Sequence, residues 1–323
     1  MTLAGVPGTR GWRPRAGLLA AVAVAFLAGC GDPGGPSRPP AAEPTPASTS
    51  AAPPERRDDL AESAESEASR ANAGQGPRRP VFREPVLGGD ISWPQCPRGM
   101  GIPERRTLGA PMPLKEVRYV VVGLTNGPGF SANPCLADQV DWARRHRLLT
   151  AAYAVASYPD ARAVARYGTD GPFDASTRLG ALANTGYQQA RFNVASMVDA
   201  GLRSPFVWID VEPVPDFEWS ADPVANAAVV RGAARGYVDA GYRIGVYSTP
   251  HLWGQIVDDL VLGVPEWRAA GETSRAEAEE RCGDDWAIQG GDPVLAQWLE
   301  NARDHNVTCS GVHRELTRWF HSY

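Results

Sequence analysis

The sequence predicts an α/β fold: a single TIM-like β/α barrel with an irregular, partly helix-depleted second half. Three observations predict it. From Leu87 onward, short apolar runs alternate with helix-like segments, the signature of βαβ units. Runs such as Tyr119-Val120-Val121-Val122 are apolar on both faces, as strands covered on both sides are. Eight candidate strands in about 240 residues suit one barrel-sized domain.

The strands are expected at 87–92, 118–124, 149–155, 206–211, 243–248, 264–268 and 294–299, with 305–308 as an optional eighth. Helices are clearest in the first five units. Asn133 can cap a helix with Pro134 at its first position; Leu136, Val140 and Ala143 form its apolar stripe. Arg144, Arg145 and Arg147 suit its C-terminal end. A helix ending at Gly201 leads into the strand at 206–211. Asp222-Pro223 opens the next helix, and Gly241 closes it. After Tyr247 the segments shorten. The stretch 272–286 carries a charged helical piece and a cysteine, so an incomplete outer ring is expected there.

The most informative string is Val207-Trp208-Ile209-Asp210-Val211-Glu212. Side chains alternate along a strand, so Trp208, Asp210 and Glu212 face one way and the β-branched residues the other. Two strand residues span about 6–7 Å. Two carboxylates that close in a cleft disfavour double ionisation, and one can keep its proton near neutral pH. A retained proton beside a fixed negative charge is what glycosidic bond cleavage needs. The same string also reads as two solvated acids at a strand end. In a barrel the C-terminal strand ends converge on one mouth. Asp90, Tyr153, Asp210, Glu212, Tyr247 and Gln297 all sit near such ends.

The chain starts with Arg10, Arg13 and Arg15 and the apolar run Leu18 to Leu27, too short for a comfortable membrane span and suited to a secretory signal. Leu27-Ala28-Gly29-Cys30 resembles a bacterial lipobox. It predicts a signal peptide over 1–30, diacylation of Cys30 (palmitate-type chains) and membrane attachment through lipid alone, on the extracytoplasmic face. Residues 31–84 are rich in Pro, Ala, Ser, Glu and Gly and cannot bury enough surface to offset their ordering entropy. As a flexible tether they reach on the order of 40 Å, which holds the domain at 85–323 within range of a cell wall.

Cys96, Cys135, Cys282 and Cys309 remain, an even number in an exported chain, so two disulfides are expected. Of the three pairings, Cys96–Cys135 with Cys282–Cys309 is favoured, since each bond would staple a loop to a neighbouring element. No C-x-x-C or His-rich spacing suggests zinc. The histidines at 146, 251, 305, 313 and 321 sit mostly beside charged or polar residues and read as solvated. No metal, cofactor or nucleic-acid partner is expected, and the chain is read as a monomer.

Five segments in order resemble the glycoside hydrolase family 25 muramidases, the lysozymes of the Chalaropsis type. Gly89-Asp90-Ile91-Ser92 is similar to that family's first-strand G-x-D-x-S, and Ile209-Asp210-Val211-Glu212 to its central D-x-E. Gly245-Val246-Tyr247-Ser248 with Trp253 resembles its G-x-Y-[ST] strand and following Trp. Gln297 matches its W-Q-Y segment, and Asp304-His305-Asn306 its closing D-x-N. The chain departs from the family after Tyr153, where Ala154-Val155-Ala156-Ser157 replaces an aromatic segment. It also departs in the order Ala296-Gln297-Trp298, in the short Gln297–Asp304 spacing and in the 272–286 insertion. These departures mark a divergent, actinobacterial-looking branch.

The resemblance implies an enzyme that cuts peptidoglycan or a related wall glycan. Glu212 would be the general acid, and Asp210 would stabilise the cationic transition state or assist the substrate's N-acetyl group. Asp90 would hold the sugar or tune Glu212, or be a buried acid. Asp304 would act at the site or be a loop acid. Tyr153 and Gln297 would bind substrate; Tyr247 and Trp208 would be sugar platforms or core. Trp93 is expected near the mouth. Two other readings compete: a non-catalytic glycan-binding or envelope-organising lipoprotein, and a hard-cation site built from Asp90, Asp210, Glu212 and Asp304.

Overall fold

Strand pairing closes the sheet on itself. The structure, a computed structural model, describes residues 82–323. The signal segment, Cys30 and the tether up to residue 81 lie outside the described residues. Eight strands follow one another around the barrel in chain order: β1 (Leu87–Ile91), β2 (Tyr119–Gly123), β3 (Leu149–Val155), β4 (Phe206–Asp210), β5 (Arg243–Ser248), β6 (Glu266–Glu272), β7 (Pro293–Glu300) and β8 (Arg303–Thr308). The α/β barrel expected from the sequence is the fold.

The period of two along each strand sorts the side chains. Inward, Tyr119, Val121, Leu149, Ala151, Phe206, Trp208, Trp267 and Leu295 fill the lumen. Outward, Val120, Val122, Ala152, Ala154, Val207, Ile209 and Val246 pack under the helices. Trp208 is the largest lumen plug, with ring centroids 4.6 Å from Phe206 and 6.1 Å from Trp267. Gly245 on the next strand makes room for it, because a Cβ there would overlap the Trp208 ring.

Around the barrel run α1 (Leu136–Arg145), α2 (Ala161–Tyr167), α3 (Arg178–Asp199), α4 (Pro223–Asp239), α5 (Pro250–Val257) and the short α6 (Arg275–Glu280). After β8, α7 (Leu316–Trp319) brings Trp319 and Phe320 against the lumen cluster at the N-terminal strand ends. Asp222 caps α4 by accepting from the backbone N–H of Val224 and Ala225, with Pro223 at the first turn, as the sequence suggested. The α3–α4 contact is close: a Cβ on Gly232 would overlap the carbonyl of Ala183.

Four expectations need correction. Asn133 does not cap α1, whose N-cap is Cys135. Its amide instead donates to the Gly123 carbonyl and to Gln139 Oε1, both at 2.8 Å, tying the helix entry to the end of β2. The first connection has no α-helix, only a 3₁₀ turn at Trp93–Gln95 followed by irregular chain. The packed unit starts before residue 85, because Phe82 packs on the lumen cluster and Glu84 accepts from the backbone N–H of Gly311. Finally, the last strand is not part of a βαβ unit: β8 runs antiparallel to both β7 and β1. The link from Glu300 to Arg303 is Asn301-Ala302, both at φ near +50° (51° and 55°), a two-residue hairpin turn. Parallel strands need a crossover of a dozen residues or more, so this link permits only antiparallel pairing.

Disulfides join Cys96 to Cys135 and Cys282 to Cys309. The first ties the β1–β2 loop to the start of α1; the second ties the 272–292 insertion to the end of β8. Cys96→Ser with Cys135→Ser opens a loop of separation 39 and is expected to cost about 3–4 kcal/mol. Urea unfolding of the exported protein, oxidised against doubly substituted, checks this; equal midpoints would refute it.

Candidate active site at the barrel mouth

The mouth collects four carboxyl groups from three strands. Asp90 comes from the end of β1 and Asp210 from the end of β4, with Glu212 two residues beyond. Asp304 comes from the start of β8, opposite Leu299. That last placement needs the antiparallel strand: β8 begins where the parallel strands end, so its first residues share their mouth.

Asp90 is held by a directional relay. The Trp267 indole N–H donates to Asn306 Oδ1 (2.7 Å), which leaves the Asn306 amide to donate to Asp90 Oδ1 (2.6 Å). The Tyr247 hydroxyl donates to Gln297 Oε1 (2.8 Å), and Gln297 Nε2 donates to the same Asp90 oxygen (3.1 Å). Burial, and then the charge of Asp304, push the Asp90 carboxyl well above the usual range, against these two hydrogen bonds.

Asp210 is 2% exposed, so the solvated-acid reading of this residue is wrong. Its Oδ1 is buried without any hydrogen-bond partner. Burial first, then Glu212 and Asp90, raise it well above a normal Asp. Glu212 is less enclosed. Burial and the Asp304 charge raise its carboxyl to about 7, with Arg105 pulling the other way. Asp304 is raised by burial, opposed by His305 and by a hydrogen bond from Gln95. The strand-end backbone is pinned: Trp219 donates its indole N–H to the Glu212 carbonyl (2.9 Å), and Ser248 its hydroxyl to that of Val211 (2.7 Å).

The structure brings six of the eight sequence-predicted residues together at this mouth: Asp90, Asp210, Glu212, Tyr247, Gln297 and Asp304. Tyr153 stands beside them, half-buried, its ring edge-on to Trp267 at 5.6 Å. Trp208 is a correction: it is 0% exposed, below the mouth, and has no surface to offer a sugar. Trp93 is half-buried at the rim, under the Arg105 guanidinium at 5.8 Å. The solvated-histidine reading fails for three of five: His305 stacks on Trp298 (4.9 Å), His313 faces Glu84 (3.3 Å), and His321 is half-buried.

Sequence reasoning missed Arg105, Trp267 and Gln95, and treated Asn306 only as part of a motif. Arg105 bridges two mouth loops, donating to the Pro215 carbonyl and lying 6.0 Å over Phe217. It sits in irregular chain with no periodicity to mark it. Asn306 carried a usable signal, since residues 304 and 306 share a strand face. Among the described residues, no group of three or more His, Cys, Asp or Glu side chains is placed to hold a metal ion.

No protein-family model matches the sequence, and no curated protein matches it. Among solved structures the chain is similar to the modular autolysin LytC from Streptococcus pneumoniae, at 14% identity and TM-score 0.43, over 69% of this chain and 46% of that one. It is similar to a family GH25 lysozyme from Aspergillus fumigatus, at 14% identity and TM-score 0.45, over 73% of this chain and 99% of that one. It is also similar to the spore cortex lytic enzyme SleM from Clostridium perfringens, at 13% identity and TM-score 0.47, over 74% and 71%. The chain thus spans less than half the length of the autolysin.

Proposed function

We propose that this chain is a glycoside hydrolase acting on peptidoglycan or a related cell-wall glycan. One observation carries the reading: at the mouth of a closed barrel, Glu212 keeps its proton up to about pH 7 beside a second, buried carboxyl two residues away. Glu212 donates that proton to the glycosidic oxygen as the bond to the anomeric carbon breaks, and the resulting carboxylate then takes a proton from the attacking water. Asp210 supplies the electrostatic partner. Its buried, unpartnered Oδ1 acts through space, since a developing positive charge at the mouth favours the ionised form. Asp90, clamped by two amides, orients the sugar or holds the Glu212 environment.

The test is release of new reducing ends from purified peptidoglycan by the full chain. Glycan binding without any new ends would sink the hydrolase reading and leave a non-catalytic glycan-binding lipoprotein. Turnover should fall as pH rises through about 7, where Glu212 loses its proton. Stability follows the same group. Between its ordinary value of 4.5 and about 7, the folded protein binds a proton that the unfolded chain has released. This contribution is full below about 4.5 and is lost as pH rises through about 7. Thermal midpoints across that window should fall with rising pH in wild type, and fall less in Glu212→Gln; identical slopes would contradict the assignment.

The location is proposed as the extracytoplasmic face of the membrane, through a diacylated Cys30. Among the described residues, no helix is long and apolar enough to cross a membrane. Cys30→Ala should release the protein from membranes; its retention after a high-salt wash would count against the lipid anchor.

A further inference from the structure

The acids gather at one end of the barrel, and the opposite end carries the other sign. There, at the starts of the parallel strands, lie exposed Arg118 before β2, Arg144, Arg145 and Arg147 between α1 and β3, and Arg203 before β4. Backbone bonds fix the grouping. The Arg118 N–H donates to the Leu87 carbonyl (2.8 Å) and its carbonyl accepts from Leu149 (3.1 Å), while the Arg203 carbonyl accepts the Thr150 hydroxyl (2.9 Å).

The C-terminal tail after α7 draws these segments together. His321 pairs its backbone with Thr150, the Arg144 guanidinium lies 4.4 Å from the centre of the Tyr323 ring, and the Tyr323 hydroxyl accepts from the Arg203 N–H (3.0 Å). Burial, then the charges of Arg203 and Arg144, hold the His321 imidazole below its ordinary value. Of the acids in the same segments, Asp141 pairs with Arg144 (3.6 Å) and Glu315 with Arg318 of α7 (3.5 Å). Among the described residues, Arg118, Arg145, Arg147 and Arg203 stand in no ion pair. The whole chain has a net charge of −5, so this is a segregation of charge and not its average.

The chain also enters the barrel at this end. Phe82 packs on the lumen cluster that holds Trp319 and Phe320, Glu84 accepts from the Gly311 N–H, and the Val86 N–H donates to the Thr308 hydroxyl (3.0 Å) where β8 finishes.

We infer that this basic end is a docking face for an anionic phospholipid surface, which seats the barrel with its mouth turned away from the bilayer. Three features commit the occupant. The unpaired guanidinium groups come from separate segments spread over one end of the barrel, which suits an array of phosphates better than a single anion. The segment leading back to Cys30 leaves from the same end. The acids of the mouth are repelled by such a surface, and that sets the orientation. Which surface lies near rests on the lipid-anchor reading; the affinity itself does not.

The test is amide hydrogen exchange in the full chain, mixed with excess vesicles of phosphatidylcholine alone or with one-third phosphatidylglycerol. Exchange over residues 144–150 and 201–204 should be at least about fivefold slower on the anionic vesicles, the effect of even one arginine near such a surface. High salt should abolish the difference. Arg118→Gln with Arg145→Gln and Arg203→Gln should bring the ratio between the two vesicle types to within about twofold of one. Arg162→Gln with Arg191→Gln and Arg231→Gln, the same charge change on α2, α3 and α4, should leave the ratio as in wild type. Should the first triple variant lose its slow core exchange, the wild-type ratio and its salt dependence decide. A wild-type ratio of one, equal loss in both triple variants, or slowing at residues 210–219 instead would overturn the docking face. Protection of the same segments by soluble polyphosphate but not by anionic vesicles would also overturn it, in favour of a polyanionic wall polymer. Vesicle protection of a chain that proves unlipidated in cells would sink the anchor and leave the docking face standing.

Discussion

Glu212→Gln is expected to lower the release of reducing ends from peptidoglycan by at least about a hundredfold, while glycan affinity stays within a few-fold of wild type. The size follows from what general acid catalysis contributes, roughly 10²–10⁴ in rate. The direction follows from chemistry: an amide has the shape of the carboxyl but no proton to give to the leaving oxygen. Asp210→Asn should also depress turnover, less severely, because the amide carries no negative charge to oppose the developing cation but leaves the Glu212 proton donor in place. The two variants separate further by pH. Wild-type turnover should decline above about 7, the value to which burial and Asp304 raise Glu212, whereas residual turnover in Glu212→Gln should lack that limb. Misfolding is not an alternative account, because removing a buried carboxyl held above its ordinary range relieves a cost at pH 8. The variant should unfold there no earlier than wild type. Full activity in Glu212→Gln would refute its role as acid.

Glu266→Ala should cost about 3–5 kcal/mol of stability, the range for breaking a buried ion pair by removing one partner. Glu266 and Arg268 have side chains 0% and 3% exposed, and the carboxylate also accepts three backbone N–H groups. Truncation leaves Arg268 and those three donors in a site that water does not reach, so the loss exceeds that of a surface pair, which is about 0–1 kcal/mol. Glu266→Gln should fall between, since an amide oxygen still accepts but no charge opposes the guanidinium. Urea unfolding measures both, and a loss below about 1 kcal/mol for Glu266→Ala would show that the insertion is not held this way.

Much of the barrel was legible because its signals are local. The apolar runs at 119–123 and 206–210, the Asp222-Pro223 cap and the alternation of Trp208 with Ile209 depend on nearest neighbours and on a period of two or 3.6, which a sequence displays. Parts of the mouth were legible for the same reason: acids at strand ends converge once the strands form a barrel. The Glu266-Trp267-Arg268 triplet was not. Its outer face is polar, so it reads as solvated, and only the backbone groups of 281–291, folded over it, show that it is buried.

The sequence by itself located the strands to within a few residues, the facing of Trp208, Asp210 and Glu212 on one strand, and Asp90 near the end of another, because each is a property of a short segment. Tertiary structure decided the rest. The antiparallel closure of β8 brings Asp304 and Asn306 to the same mouth as Asp90, at sequence separations above 200. Packing buries Trp208 completely and leaves Glu212 partly open. The D-x-E spacing suggested that one acid keeps its proton, but what raises Glu212 is burial and the charge of Asp304, a distant acid acting through space, which sequence order does not display.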